Sequence, residues 1–213
     1  MKTRPEIIYV FDTHCGWCYG FSQVIHDFEV QHRKEFDFKV LNGGLITGDR
    51  VGPIGPMAEY ILSAIPRLEE MTGMKVGESY KAILRDGKRV MDSLPPATAF
   101  RILSEHYPDK QIELAHTIQH LQFVEGLDMS SEAGLLNLCK KFTFDEAEFI
   151  QKLNSETYRK QALQEFAEVS GMGISGYPAV VLNRGDAYIA LSRGYISATA
   201  LESNLKSGLQ YKN

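Results

Sequence analysis

Two cysteines three positions apart, in Cys15-Gly16-Trp17-Cys18, are the residues of this chain best suited to chemistry. At i and i+3 of a first helical turn both side chains point the same way, so their sulfurs can come within bonding distance without rearranging the backbone. Such a pair can pass two electrons by making and breaking its own disulfide. A cysteine at a helix tip also meets unsatisfied backbone N–H groups and the positive end of the helix dipole, which favour thiolate over thiol. That marks Cys15 as the nucleophile. Cys18 shares a helical stripe with Phe21 and Ile25, which predicts a more covered sulfur that waits as the resolving thiol. The competing reading is half of a zinc site. A four-ligand cage needs two more cysteine or histidine ligands at suitable spacing, and only His14 is adjacent. The remaining cysteine, Cys139, lies on an apolar stripe and reads as core, so no metal is expected.

The elements around the pair give it its context. Glu6 to Asp12 is short and rich in β-branched and aromatic residues, which predicts a buried strand leading straight into the cysteine helix. That helix carries Phe21, Ile25 and Phe28 on one stripe and fades in the charged run Arg33 to Glu35. Phe36 to Leu41 alternates apolar and polar residues as a second strand, broken by Gly43-Gly44. A β-α-β opening with a short crossover favours parallel strands. From about Pro56 to Ser170 the pattern is helical without a convincing strand, and Pro66 is expected to kink or end the helix of Met57, Ile61 and Ile65. Pro95-Pro96 can open a helix, and the stripes Leu114, Ile118, Leu121 and Leu135, Leu138, Cys139, Phe142 mark two more. A long helix runs through Leu163 and Phe166 to Gly171. Ala179 to Leu182 and Ala187 to Leu191 read as a hairpin about the turn Asn183-Arg184-Gly185-Asp186, followed by a helix over Ser197 to Leu205.

A second informative segment is Gly173-Ile174-Ser175-Gly176-Tyr177-Pro178-Ala179, a proline at the head of a strand. A tyrosine before proline raises the chance of a cis bond, while an ordinary trans proline starting an edge strand is equally compatible with the residues. Without a donor at Pro178, the backbone of Tyr177 is free to pair with an extended peptide by strand addition.

Length and composition bound the rest. The 213 residues suit one domain or one domain with a large insert, and 44% hydrophobic against 23% charged residues is ordinary globular usage. With 23 basic and 27 acidic residues the formal charge is −4, with no basic block, which argues against nucleic acid as a partner. The apolar run Ile7 to Phe11 is too short for a signal peptide, nothing approaches a bilayer span, and three cysteines do not make a disulfide framework. A cytoplasmic protein without a membrane partner is expected.

Asp12-Thr13-His14-Cys15-Gly16-Trp17-Cys18-Tyr19-Gly20-Phe21, then Gly43-Gly44-Leu45, then Gly176-Tyr177-Pro178-Ala179, in this order and around a helical insert, resemble the DsbA-like branch of the thioredoxin superfamily, within it the FrnE-like group of predicted protein-disulfide isomerases. The resemblance covers most of the chain. It implies an α/β thioredoxin-like fold (β-α-β … β-β-α), with residues 1–50 and 171–213 and the helix of about 156–170 forming the thioredoxin-like domain and about 55–155 the helical insert. It implies Cys15 as attacking thiol, Cys18 as resolving thiol, and a cis Pro178 facing them. The expected activity is a thiol-disulfide oxidoreductase or isomerase acting on a disulfide- or thiol-containing protein or peptide. His14, Trp17, Tyr177 and Pro178 would contact substrate, Trp17 and Tyr177 forming an apolar groove with the insert. No cofactor is implied beyond glutathione, another small thiol or a thioredoxin-type protein as redox partner. Sister families of the same architecture supply one alternative, a glutathione-dependent isomerase or kappa-class-like glutathione transferase, against which Cys18 argues; a non-catalytic thioredoxin-fold interaction module is another.

Two departures matter. Many relatives of this fold carry a buried carboxylate about six residues before the first cysteine, where this chain has Tyr9, so Asp12 is the candidate proton relay to Cys18, with a dipole-satisfying acid as its alternative role. The Gly-Trp dipeptide lacks the histidine that strong oxidants place between the cysteines, which predicts a weaker oxidant. His14 could assist the Cys15 thiolate when protonated, or be an exposed loop residue.

Other patterns carry no function. Gly171-x-Gly173-x-x-Gly176 matches a dinucleotide fingerprint by letter, but it follows a helix and precedes a strand, the reverse of a phosphate site. His116 and His120 lie opposite an apolar stripe and read as a solvated face, and Arg184-Gly185-Asp186 reads as a hairpin turn.

Overall fold

A computed structural model describes residues 4–185 and 187–210. Strand β1 (Glu6–Phe11) leads through a short turn into helix α1 (Gly16–His32), and strand β2 (Asp37–Asn42) returns parallel to β1. Later in the chain β5 (Ala179–Asn183) pairs antiparallel with β1, and β6 (Tyr188–Arg193) pairs antiparallel with β5, giving the sheet order β2-β1-β5-β6. Between the sheet's halves lie β3 (Gly52–Pro53), α2 (Gly55–Thr72), α3 (Glu78–Asp86), β4 (Val90–Met91), α4 (Leu94–His106), α5 (Gln111–Phe123), α6 (Glu132–Lys141), α7 (Glu146–Leu153) and α8 (Glu156–Gly171). Helix α9 (Ala198–Gln210) follows the sheet.

Alternation along β1 divides the core. Ile7, Tyr9 and Phe11 pack with Phe21, Ile25 and Phe28 of α1 and Leu201 and Leu205 of α9, whereas Ile8 and Val10 meet Val169 of α8 on the opposite face. The first core also takes in Leu114, Ile118 and Leu121 of α5 and Leu135, Leu138 and Cys139 of α6, so the helical block is built onto the cysteine side of the sheet.

Two expectations need correction. Helix α2 does not end at Pro66: it continues to Thr72 and stops at Gly73, whose φ of 73° closes the helix in a left-handed cap. The lost proline hydrogen bond is outweighed by packing, since Ile65 and Leu68 on either side of Pro66 are both buried in a second cluster with Tyr80 and Phe123. The central region also contains a strand after all: β4 pairs antiparallel with β3, a two-residue ladder too short to leave a periodic signal. In the hairpin turn, Asp186 lies outside the described residues, so the four-residue turn is described only through Gly185.

Candidate functional site

The turn between β1 and α1 is positioned by the strand before it and the helix after it. Cys15 is the N-cap of α1, in extended conformation, and its sulfur accepts the Cys18 backbone N–H at 3.3 Å. A sulfur thus takes the place that a serine or aspartate oxygen fills in most caps, meeting one of the donors left unpaired by the helix start. Cys18 lies one turn on and is fully covered, 0% exposed against 8% for Cys15. Burial above all, then the neighbouring Cys15 and the Asp12 carboxylate, push the Cys18 thiol well above the usual range, partly offset by the Asp12 backbone.

The Tyr177–Pro178 peptide is cis, and the Tyr177 carbonyl accepts the Cys15 thiol at 3.5 Å. Tyr177 is itself held from the other side. Its hydroxyl donates to the Gly43 carbonyl, and a Cβ at position 43 would stand 2.1 Å from its ring. Gly44 follows with a φ of 69°, the left-handed region that glycine adopts without penalty, under the ring of Phe166. Gly43 is therefore the floor on which Tyr177 rests, while Gly44 makes room for Phe166. Burial pushes the Tyr177 phenol up to about 12, with the Asp12 charge adding to it.

Asp12 ties the two segments together. One carboxylate oxygen accepts the His14 N–H at 2.9 Å and the other accepts the Leu45 N–H at 2.8 Å, with the side chain 1% exposed. Its oxygens serve the backbone on both sides, and its charge opposes ionisation of Cys18. His14 is not an exposed loop residue: it is 9% exposed, and its Nε2 lies 3.0 Å from the Asp92 carbonyl and 3.4 Å from the Ser130 hydroxyl. The ring engages the helical block because the turn is roofed by it. Trp17 is half-buried, its ring 6.0 Å from that of Tyr195. With His14, Tyr60, Ile65, Leu68 and Phe123 it lines an apolar cavity of about 140 Å³ between the cysteine turn and α2, α3 and α5, whereas Tyr177 lines the other side of the site.

Three braces were not foreseen in the sequence. The Gln119 side-chain amide donates to the Asp12 carbonyl at 3.2 Å and the Cys15 carbonyl at 3.5 Å from inside α5. Ser130 donates from its hydroxyl to the Asp92 carbonyl at 3.3 Å and accepts the Asp92 N–H at 3.0 Å, fixing the carbonyl that meets His14. Glu165 of α8, buried and pushed up by that burial, accepts both the backbone and side-chain N–H groups of Asn42, next to the glycine pair. Polar residues on the buried face of a helix are the signal that could have found Gln119 and Glu165. His116 is half-buried rather than solvated, whereas the His120 side chain is 42% exposed beside Glu125, and among the described residues no cluster of three or more histidine, cysteine or carboxylate groups could hold a metal ion.

A model of the DSBA-like thioredoxin domain matches residues 6–206 of the chain. The chain belongs to that family. This DSBA-like protein superposes on a proposed protein disulfide isomerase from Nitrosomonas europaea with a TM-score of 0.84 at 25% identity, covering 97% of this chain and 98% of that one. The cytosolic disulfide reductase DsbM from Pseudomonas aeruginosa matches with a TM-score of 0.77 at 24% identity, over 96% of this chain and 98% of that one. DsbM has also been solved with GSH. A 2-hydroxychromene-2-carboxylate isomerase shares the fold at a TM-score of 0.66 and 14% identity, over 96% and 94% of the two chains. The last two proteins bear on the DSBA-like protein's fold alone. No curated protein sequence matches it. Among its described residues no helix is long and apolar enough to cross a membrane.

Proposed function

We propose that this DSBA-like protein is a thiol-disulfide oxidoreductase that works through Cys15 and Cys18 by way of a mixed disulfide. The observation that carries the reading is the unequal pair: a Cys15 sulfur capping α1 and touching the Tyr177 carbonyl, with a fully buried Cys18 one turn behind it. The Cys15 thiolate attacks one sulfur of a substrate disulfide, and the other sulfur leaves as a thiolate. Cys18, as thiolate, then attacks the Cys15 sulfur, the enzyme's disulfide forms, and the bound substrate half leaves as a second thiolate. Two electrons pass from the enzyme dithiol to the substrate, and the reverse sequence oxidises a substrate dithiol. No metal or organic cofactor enters these steps.

The substrate class is a disulfide- or thiol-containing protein or peptide, and the redox partner is glutathione, another small thiol or a thioredoxin-type protein. The apolar cavity beside Trp17 suits a hydrophobic side chain of an extended substrate, and the Tyr177 backbone lies beside Cys15 as a place for strand-like pairing. A cytoplasmic location, and a division into a thioredoxin-like part (1–50, about 156–213) and an insert (about 55–155), belong to the same proposal.

Trapping tests the reading. Cys18→Ala should accumulate a stable mixed disulfide through Cys15, located by mass spectrometry after exposure to oxidised protein or peptide. No adduct, or one through Cys139, would overturn it. Saturable glutathione conjugation or isomerisation that survives Cys18→Ala would instead establish the glutathione-dependent alternative, and an inert pair in both assays the non-catalytic one.

A further inference from the structure

Tyr9 sits in the middle of β1, paired with Val40 on one side and Val180 on the other, so its side-chain direction is fixed by the strand. Its ring packs 5.8 Å from that of Phe11 and 6.0 Å from that of Phe21, the α1 residue one turn beyond Cys18. The side chain is 1% exposed, and its hydroxyl is sealed from solvent with no hydrogen-bond partner. A phenylalanine would fill this space without stranding a polar atom, so a hydroxyl kept here is a cost to folding unless it meets a partner at some stage of the protein's work.

The partner available is sulfur. Tyr9 shares a core cluster with Cys18 and Cys15, its ring meets that of Phe21 one turn beyond Cys18, and burial first, then charge on either sulfur, opposes ionisation of its hydroxyl. It therefore stays a phenol, a donor and never a base. Resolution requires the opposite of Cys18, whose buried thiol must become a thiolate. Both Asp12 oxygens hold backbone N–H groups, and the Gln119 side-chain nitrogen donates to the Asp12 and Cys15 carbonyls; the Thr13 hydroxyl is also buried without a partner.

Building on the proposed exchange reaction, we infer that the Tyr9 hydroxyl donates a hydrogen bond to the Cys18 thiolate as it forms, positioning it to attack the Cys15 mixed disulfide. Cys18 gives its proton to water. Its electron pair makes the Cys15–Cys18 bond while the bond from Cys15 to the substrate sulfur breaks, and the departing thiolate takes a proton from water. Tyr9 keeps its own proton throughout.

The test is Tyr9→Phe in the full chain, with oxidised glutathione as the disulfide probe and acid-quenched mass spectrometry as the readout. Adduct formation at Cys15, measured with Cys18→Ala also present, should proceed at the same rate with Tyr or Phe at position 9. With Cys18 intact, resolution of the adduct should slow about tenfold near neutral pH, its pH profile moving about one unit alkaline. Thermal stability should be equal or higher, since the change removes an unpaired buried hydroxyl. 3-Fluorotyrosine at the same position, a stronger donor of similar shape, should resolve at least as fast as tyrosine. Unchanged resolution and pH profile in Tyr9→Phe overturn the inference while leaving the exchange reaction standing, as does slowing matched by lost stability and by an equal loss in the first step. If Tyr9→Phe does not fold, 3-fluorotyrosine decides, and slower resolution with it overturns the inference. A wild-type chain that never joins Cys15 to Cys18 overturns both.

Discussion

Two regions of the molecule each bury a cysteine completely, and they treat it differently. Cys139, in α6, and Cys18, in α1, are both 0% exposed. Burial pushes the Cys139 thiol up to about 11, with Glu146 and Asp145 adding to the effect, and its sulfur donates to the Phe144 carbonyl at 3.2 Å. That thiol is satisfied as a neutral donor among apolar side chains. Cys18 is raised by burial too, but it stands one turn from a second sulfur and shares its core cluster with Tyr9, whose buried hydroxyl has no partner. Under the proposed exchange reaction, coverage alone does not separate a core cysteine from a working one; the groups around the sulfur do.

Replacement of single sulfurs tests this contrast with the largest expected effect. Cys15→Ser should lower disulfide exchange on the order of a thousandfold or more, since it removes the attacking atom. Cys139→Ala should leave exchange within about twofold and cost stability of about 1 kcal/mol, read by insulin reduction and thermal melting. Comparable losses in the two variants would erase the distinction.

The contrast was partly legible in the residues. The Cys15-Gly16-Trp17-Cys18 spacing after an apolar strand, the stripe shared by Cys18, Phe21 and Ile25, and the stripe holding Cys139 all describe positions along a helix, which sequence reports well. The parallel β1–β2 pair and the β5–β6 hairpin were legible for the same reason. What the sequence hid is long-range. That Gly43 is empty to admit the Tyr177 ring, that Asp12 bridges to Leu45, that His14 turns toward Asp92, and that Gln119 reaches the cysteine turn are contacts between segments far apart in the chain. The passage of α2 through Pro66 was hidden too, because local propensity gave way to packing of Ile65 and Leu68.

A pH series sharpens the comparison further. Because the Cys18 thiol is raised, it is protonated at neutral pH and its thiolate fraction grows about tenfold for each pH unit below its pKa. Resolution of a Cys15 adduct should therefore accelerate about tenfold per unit from pH 6 to pH 8, followed by quenched mass spectrometry. A flat profile would mean that Cys18 ionisation does not limit resolution.

Gly43→Ala should act more modestly, by forcing the Tyr177 ring off its floor and moving the carbonyl that meets Cys15. Overpacking of this kind costs about 1 to 3 kcal/mol, and exchange should fall by about tenfold with Cys15 still present and alkylatable. Unchanged melting and unchanged exchange together would show that the glycine floor does not hold the site.

The central claim is that Cys15 and Cys18 form one reversible two-electron couple, and redox titration in glutathione buffers with disulfide mapping tests it most directly. The account predicts a single transition between dithiol and a Cys15–Cys18 disulfide, with Cys139 unchanged. Its midpoint should be more reducing than the roughly −120 mV of DsbA, because no histidine stands between the cysteines to stabilise the thiolate. A chain that reaches equilibrium with no bond between Cys15 and Cys18, or that bonds Cys139 instead, would contradict the account.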